Sequence, residues 1–330
     1  MTGLSACAYA AAFGALQMIP TRVVPGLESL KPVQKELAPL RKAGEVLDNQ
    51  LSEERKTVEK FVASNPDLKA HLDQRSVVRR ELRTINLAIS GLKTKLEAGD
   101  NTVQEKLNEN QTKLKEVQAK MPALNEQLTN LSVKQPEIKG AVLAYEKTLA
   151  EIGKNRAARK VHEDKIKTEG NYYQFWQEMG GLTGRIMLAI LIVFVLHKKV
   201  LLWIFQVPGL ILFPLTFYFF FKEKPDFFVY GVFICGLVTV AQFSFFGEHM
   251  PKIFPMHLRG TGGSFATNVG GRMIGTSAAF VNTELITKSI APANTPPFAY
   301  IAISAAIIGG TVFLVGMILT AILPKLPEGE

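Results

Sequence analysis

Two hydrophobic patterns alternate along this chain, and each predicts a different kind of helix. The first pattern is an apolar run of about 20 residues, the length that a helix needs to cross a hydrocarbon core of roughly 30 Å. Such runs lie at Leu4–Val24, Phe175–Leu196, Val200–Phe221, Phe227–Phe246, Gly262–Val281 and Tyr300–Leu323. The chain is therefore predicted to be an all-α membrane protein with six transmembrane helices, the first in residues 1–27 and five more in residues 171–323.

The second pattern fills residues 28–170, where apolar residues recur every three or four positions among Lys, Glu and Gln. This spacing is typical of helices that pack along a narrow stripe, as in a coiled coil. Breaks are expected at Asn65-Pro66-Asp67, at Gly99-Asp100-Asn101 and at Gln135-Pro136, because each joins a helix stop to a capping residue or a Pro. We expect an inserted domain of about four antiparallel helices. Their apolar seams run over Leu37–Phe61, Val78–Leu96, Val103–Leu131 and Ile138–Ile152.

Charge and cysteine content exclude several function classes. The chain has 38 Lys plus Arg and 29 Asp plus Glu, but in the insert the two signs interleave, as on a solvated helical face and unlike a phosphate-binding stripe. Cys7 and Cys235 lie in apolar runs without disulfide or metal spacing. No catalytic triad or phosphate-loop pattern is present, and the GTGG run at Gly260 lacks the preceding strand that a nucleotide cradle needs. We expect no enzyme, no cofactor, no metal and no nucleic-acid partner.

Loop charge predicts how the chain is oriented in the membrane. The loops at 197–199 and 249–259 and the tail at 324–330 are more basic than the loops at 222–226 and 285–297, so the first set is expected in the cytoplasm. The insert then lies on the extracytoplasmic side of the cell inner (plasma) membrane. Residues 1–27 are interpreted as a span and not as a signal peptide, because no basic region precedes their apolar centre.

The link between the fourth and fifth of these runs carries the most specific motif. Gly247–Gly275 reads GEHMPKIFPMHLRGTGGSFATNVGGRMIG, in which two Pro residues stop one helix and glycines allow the turn into the next. Its order of Glu, Pro, Arg-Gly-Thr-Gly, Asn and Gly-Arg resembles the connection between the tenth and eleventh helices of major facilitator superfamily transporters, especially the sugar and metabolite:proton symporters. The start of the chain resembles the seventh helix, and GGLTGR at Gly180–Arg185 resembles the eighth.

This resemblance implies that the chain is the C-terminal half of such a transporter, helices seven to twelve, with a coiled-coil insert after the first of them. A truncated gene or a fragment is the simplest explanation of that start. The implied function is proton-coupled secondary transport of a sugar-like solute or an organic acid, by rocking of two halves about a central site. Without a first half, we expect no transport unless the chain dimerises or meets a separately encoded half. The lipid bilayer and the solute are the other expected partners.

Polar residues inside apolar runs are the candidate residues of the translocation path. Ionisable groups at membrane depth are costly and normally face a cavity or a partner. The candidates are Gln17, Arg185, Gln242, Asn268 and Arg272. Structural alternatives remain open for both kinds of residue. Arg185 pairs with Glu178 or a backbone carbonyl, Arg272 pairs with an acid across the helices, and the Gln242 amide bonds a neighbouring helix. The transport interpretation requires that both guanidinium groups avoid the acyl chains.

Residues of the cytoplasmic loops form a second candidate site, the gate. The candidates are Lys198, Lys199, Glu248 and Arg259. Arg259 is suited to bond an acid, the carbonyls at a helix end or a lipid phosphate. The loop at 197–199 keeps basic residues but lacks the Asp and the Gly that related transporters often carry there, so a latch at this loop is in doubt.

A membrane-anchored scaffold is the alternative function, because it needs only the insert and an apolar anchor. In either case the insert itself is a contact surface for another protein or a passive spacer. The intramembrane arginines argue against a mere anchor, since an anchor gains nothing from charge in lipid.

Overall fold

The computed structural model describes residues 1–97, 101–133, 135–195, 197–249, 254–292 and 297–323, and all regular structure in these ranges is helical. The prediction of an all-α chain is therefore confirmed. The predicted tail at 324–330, the Gly99-Asp100 part of one predicted break and the Pro251-Lys252 part of the motif lie outside the described residues.

Ten helices are described, and several of them change pitch. They are α1 Thr2–Gly26, α2 Lys31–Ser64, α3 Pro66–Glu97, α4 Gln104–Gln118, α5 Lys120–Leu131, α6 Glu137–Phe194, α7 Lys198–Glu223, α8 Pro225–His249, α9 259–290 and α10 Phe298–Ile322. Helix α1 is regular only over Thr2–Gly14. Wide, π-helical turns occur at Ile19–Val23, Leu215–Phe220, Ala266–Gly275 and Val281–Ile286. Such turns are rare and frequently mark functional sites.

The chain divides into two compact units. The apolar unit comprises Met1–Ala38 and Lys160–Glu330, and the insert unit comprises Pro39–Arg159. The sequence pattern places the insert at 28–170, but Leu30, Leu37 and Ile166 pack in the core of the apolar unit.

Five described helices are long and apolar enough to cross a membrane: α1, α6, α7, α8 and α10. This is consistent with a multi-pass membrane protein. The predicted span at Gly262–Val281 forms the middle of α9, which is not among the five, and a sixth span stays a prediction. Its Gly, Ser, Thr and Arg residues give it a weaker apolar character than the other runs.

In the apolar unit, α6 and α8 cross where glycines remove the side chains between them. A Cβ on Gly180 would overlap the carbonyl oxygen of Phe233, and one on Gly184 would overlap that of Leu237. From the other side, a Cβ on Gly236 would overlap the carbonyl oxygen of Gln177. Small residues four apart allow this close approach of two backbones.

Glycines allow close packing in two further pairs of helices. On α7 and α10 the fit is reciprocal, since Phe313 fills the space beside Gly209 and Phe213 fills the space beside Gly309. The two rings lie 5.0 Å apart between centroids. On α9, the glycines at positions 270, 271 and 275 face Thr2, Ala6 and Tyr9 of α1.

The insert unit is helical, and its helix boundaries can be compared with the predicted seams. Helix α2 ends at Ser64 and α3 begins at Pro66, at the expected break. The third seam, Val103–Leu131, is divided between α4 and α5, which meet at Ala119. Pro122 explains the division, because it has no N–H to bond the carbonyl four residues earlier.

We expect Gly184→Ala to destabilise the apolar unit by about 1–3 kcal/mol, because the neighbouring atom is a backbone carbonyl that cannot move aside. Thermal unfolding in detergent, followed by circular dichroism, measures the loss. Gly247→Ala on α8 is the matched control, since its added Cβ would meet nothing within 4 Å. Equal midpoints for the two variants would contradict the close crossing.

Candidate functional site

The exposed surface of α6 has a polar sector and an apolar sector. Gln174, Glu178 and Arg185 are exposed and lie four and seven residues apart, which places them on one side of the helix. The apolar sector is centred about 120° further around the helix axis, at 100° per residue. It consists of Tyr172, Phe175, Trp176, Met179, Leu182, Ile186, Ile190, Val193 and Phe194, all exposed. The glycines that contact α8 occupy the remaining side.

Arg185, the predicted path residue on α6, therefore lies outside the exposed apolar sector of the same helix. Arg185 and Glu178 form no ion pair with each other, although both lie within the described residues. The structural alternative that pairs these two side chains is therefore not the one that the structure adopts. An exposed charge in an otherwise apolar helix requires water or a partner next to it.

Helix α9 presents a second polar surface. Asn268 and Arg272 are exposed and one turn apart, while Gly271 and Gly275 face α1. Gln17, in the irregular part of α1, is also exposed. Among the described residues, none of the five predicted path residues bonds to another of them.

The gate residues lie at helix ends. Lys199 Nζ donates a hydrogen bond to the carbonyl oxygen of Ala321 at 3.0 Å, which joins the start of α7 to the end of α10. Arg259 Nε donates to the carbonyl oxygen of Phe254 at 3.4 Å, so it bonds backbone of its own loop. Lys198 is half-buried, and Glu248 is exposed at the end of α8.

The fifth path residue, Gln242, belongs to a buried polar cluster at the centre of the apolar unit. Its Oε1 accepts a long hydrogen bond of 3.4 Å from Gln206 Nε2 on α7. Thr320 Oγ1 on α10 lies 2.9 Å from both Gln206 Oε1 and the carbonyl oxygen of Gly316. Gln242 thus bonds across helices, which is the structural alternative that the sequence left open for this residue.

A cavity of about 10 Å³ adjoins this cluster and is lined by Cys7, Ala8, Gln206, Gln242, Val312, Phe313 and Gly316. That volume is enough for about one water molecule. Solute sites are far larger, roughly 300–1,000 Å³. The cluster therefore links α7, α8 and α10 and is not itself a solute site in this conformation.

The sequence analysis missed Gln206 and Thr320. Gln206 carries the signal that identified Gln242, a lone amide in an apolar run, and the same reasoning could have found it. Thr320 carries no such signal, because threonines in membrane helices commonly bond their own backbone.

A second buried polar cluster provides a hydrogen-bond partner at the break in α1. Regular helix ends at Gly14, and the buried Asn282 of α9 donates from Nδ2 to the Gly14 carbonyl oxygen at 2.6 Å. Thr287 Oγ1 donates to Asn282 Oδ1 at 3.2 Å, and Ser304 Oγ donates to the Asn282 carbonyl oxygen at 3.3 Å. A helix break in apolar surroundings needs such partners for its freed carbonyl groups. Asn282 was not among the predicted site residues.

We expect Gln206→Met to cost roughly 0.6–2 kcal/mol of stability, the range for interhelical hydrogen bonds in membranes, because the Gln242 and Thr320 side chains lose a buried partner. Gln17→Met is the control, since Gln17 is exposed. Unfolding in detergent by denaturant measures both. A double-mutant cycle with Thr320→Val should show a coupling energy between the two positions; additive losses would contradict the cluster.

No protein-family model matches this chain, and neither does any curated protein or solved structure. What is shown is a helical chain with five apolar helices, consistent with a multi-pass membrane protein. The resemblance to major facilitator transporters therefore rests on the residues of the sequence, above all on Gly247–Gly275.

Proposed function

We propose that this chain is the C-terminal half of a secondary transporter of the major facilitator type. It moves a sugar-like solute or an organic acid and is driven by a proton gradient. Arg185, Asn268 and Arg272 line the solute route, with Gln17 beside it. The insert lies on the extracytoplasmic side of the inner membrane.

The observation that carries the proposal is charge on the exposed side of apolar helices. Arg185 and Glu178 share one side of α6, and the aromatic and aliphatic side chains of the same span occupy another. Facing lipid, the charged side would cost several kcal/mol, about 2.5–3.5 kcal/mol for one Arg at mid-depth on an insertion scale. A water-filled route removes that cost and gives the guanidinium an anionic or hydroxyl-rich solute to bind.

The helix neighbours support the same interpretation. The backbones of α6 and α8, and those of α9 and α1, meet through glycines, and α1 also packs against α8. Helix α1 is interrupted after Gly14, and α9 is wide over Ala266–Gly275. Interrupted helices are a recurrent feature of transporter binding sites, where the freed backbone groups are satisfied by protein or by a cavity and not left in lipid.

A half of this kind needs an opposing bundle to enclose its route. The polar sides of α6 and α9 have no described helix against them. The partner in the proposal is a first six-helix half, on the same or on a separate polypeptide, or a second copy of this chain.

The alternative, a membrane-anchored coiled-coil scaffold, is favoured by the size of the insert unit, Pro39–Arg159. A scaffold gives no role to Arg185 or Arg272, and an anchor with those residues replaced by Leu would insert better.

Cysteine accessibility tests the polar sector of α6. In a chain whose Cys7 and Cys235 are replaced by Ala, Arg185→Cys should react with a membrane-impermeant maleimide. Ile186→Cys should not, because the thiolate that reacts exists only where water reaches it. The two positions are adjacent and equally deep, and only the sector differs. Equal labelling of the two cysteines would contradict a water-filled route along Arg185. So would the absence of labelling at both positions in the monomer, the dimer and the chain with a partner.

Reconstitution tests the need for a second bundle. The monomeric chain in vesicles should show no saturable, pH-driven uptake of sugars or organic acids, since half of the route is missing. A dimer, or the chain expressed with a six-helix partner, should restore uptake, and Arg185→Gln should abolish it. Saturable uptake by the monomer would refute the half-transporter proposal, and restored uptake that Arg185→Gln leaves unchanged would refute the role of Arg185.

A further inference from the structure

The insert unit contains a buried ionic cluster that the seam pattern does not predict. Arg75 on α3 is fully buried and forms a two-pronged ion pair with Glu146 on α6, with Nε–Oε1 and Nη2–Oε2 distances of 2.6 Å each. Its Nη1 donates to Asn125 Oδ1 on α5 at 2.9 Å. Arg79 Nη2 approaches the same carboxylate, 3.3 Å from Glu146 Oε1. Three helices therefore meet at the Arg75 guanidinium group.

His71, one turn before Arg75 on α3, is buried beside this cluster with 5% of its surface exposed. Its Nε2 is buried and has no hydrogen-bond partner among the described residues. The side chain of Gln127 and the backbone of Leu124, both on α5, lie beside the ring and act to raise its pKa.

The charges around His71 are already unbalanced. Two guanidinium groups, Arg75 and Arg79, share the single carboxylate of Glu146. A protonated imidazole would place a further cation next to the fully buried Arg75, on a ring that is itself almost completely buried. Charge burial without an added counter-ion is strongly unfavourable, so the folded insert requires His71 to be neutral.

We propose that this cluster makes the insert unit an acid-sensitive switch, in which protonation of His71 loosens α3 from α5 and α6. The proton is the ligand, and the buried, unpartnered Nε2 is its acceptor. No other function of the chain is required for this behaviour.

The direction of the pH effect follows from the site. Burial, and then the charge of Arg75, lower the pKa of His71, and these effects exceed the opposing effects of Glu146, Gln127 and Leu124. A His with a lowered folded-state pKa adds stability above its unfolded value of about 6.5 and loses it as the pH falls. The insert should be closed at neutral pH and open progressively in acid.

The other polar and charged groups around this ionic cluster do not reverse the effect of pH on the insert. From α5 the polar neighbours are the uncharged Asn125 and Gln127. From α6, Tyr145 is next to Glu146 in the sequence and packs against the apolar core of the insert unit. From α2, apolar residues pack in the core, and Glu54 is the nearby acid. Its Oε1 accepts from Gln50 and Thr148, its Oε2 is buried without a hydrogen-bond partner among the described residues, and its charge is not among those that shift the pKa of His71.

Hydrogen exchange of the whole chain in nanodiscs tests the switch, at about pH 7.5 and about pH 5.5, on either side of the ordinary imidazole pKa. After correction for the intrinsic rates, opening of α3 and α5 should increase severalfold in acid, by at most about tenfold per pH unit for one proton. His71→Gln keeps a neutral polar side chain and should abolish the increase. His162→Gln, at a half-buried His 3.4 Å from Glu36, should leave it unchanged.

Two outcomes would overturn the proposal: no acid-induced opening in the native chain, or the same opening in His71→Gln. If His71→Gln does not fold, the native chain decides the question, because it has only 5 His and their ring signals can be followed by selective labelling. The His71 ring must then titrate together with the opening. Opening without that titration, or titration without opening, rejects the switch.

Discussion

Helices in apolar surroundings gain little from hiding apolar side chains, so their association depends on how closely their backbones can approach. Three contacts of the apolar unit are built in this way, at Gly180 and Gly184 on α6, at Gly209 and Gly309 between α7 and α10, and at Gly270–Gly275 on α9. Each glycine faces a backbone carbonyl or a large ring on the neighbouring helix. These contacts also set how α6 and α9 are rotated about their axes. Because the glycine-containing surface of each helix packs against a neighbour, the other surfaces of that helix are exposed.

Close packing makes a buried polar atom costly unless it has a partner, and the main buried polar clusters find their partners in different ways in the two units. In the apolar unit the partners are neutral amides and hydroxyls, Asn282 at the break in α1 and Gln206 with Thr320 at the centre. In the insert unit they are charged, Arg75 with Glu146. A neutral cluster keeps its hydrogen bonds over the physiological pH range. A charged cluster that encloses a neutral His is expected to lose its hydrogen bonds when that His is protonated.

Transport and acid sensing make different demands on the structure. The proposed route uses exposed charges that await an opposing bundle, whereas the proposed switch uses buried charges that are already enclosed. The apolar unit owes its packing to shape, and its neutral clusters contain no group that titrates near neutral pH. The insert unit combines a small apolar core with an ionic layer, so a single proton has a larger effect there. Response to pH is thus expected in the insert, independently of what the helices in the membrane carry.

The hydrophobic pattern alone determined that the chain is helical, where five apolar helices lie, and where α2 gives way to α3. These features depend on neighbours in sequence, namely run length, three-and-four spacing and the Asn65-Pro66-Asp67 stop. The pattern also found Gln242, because one amide in an apolar run stands out. It could not tell Arg75 from Arg79, Arg80 or Arg83, which follow one another on the same charged helix. Only the meeting of α3, α5 and α6 made Arg75 the buried one, and only the break in α1 gave Asn282 its partner, since burial and partner choice depend on residues that are distant in the chain.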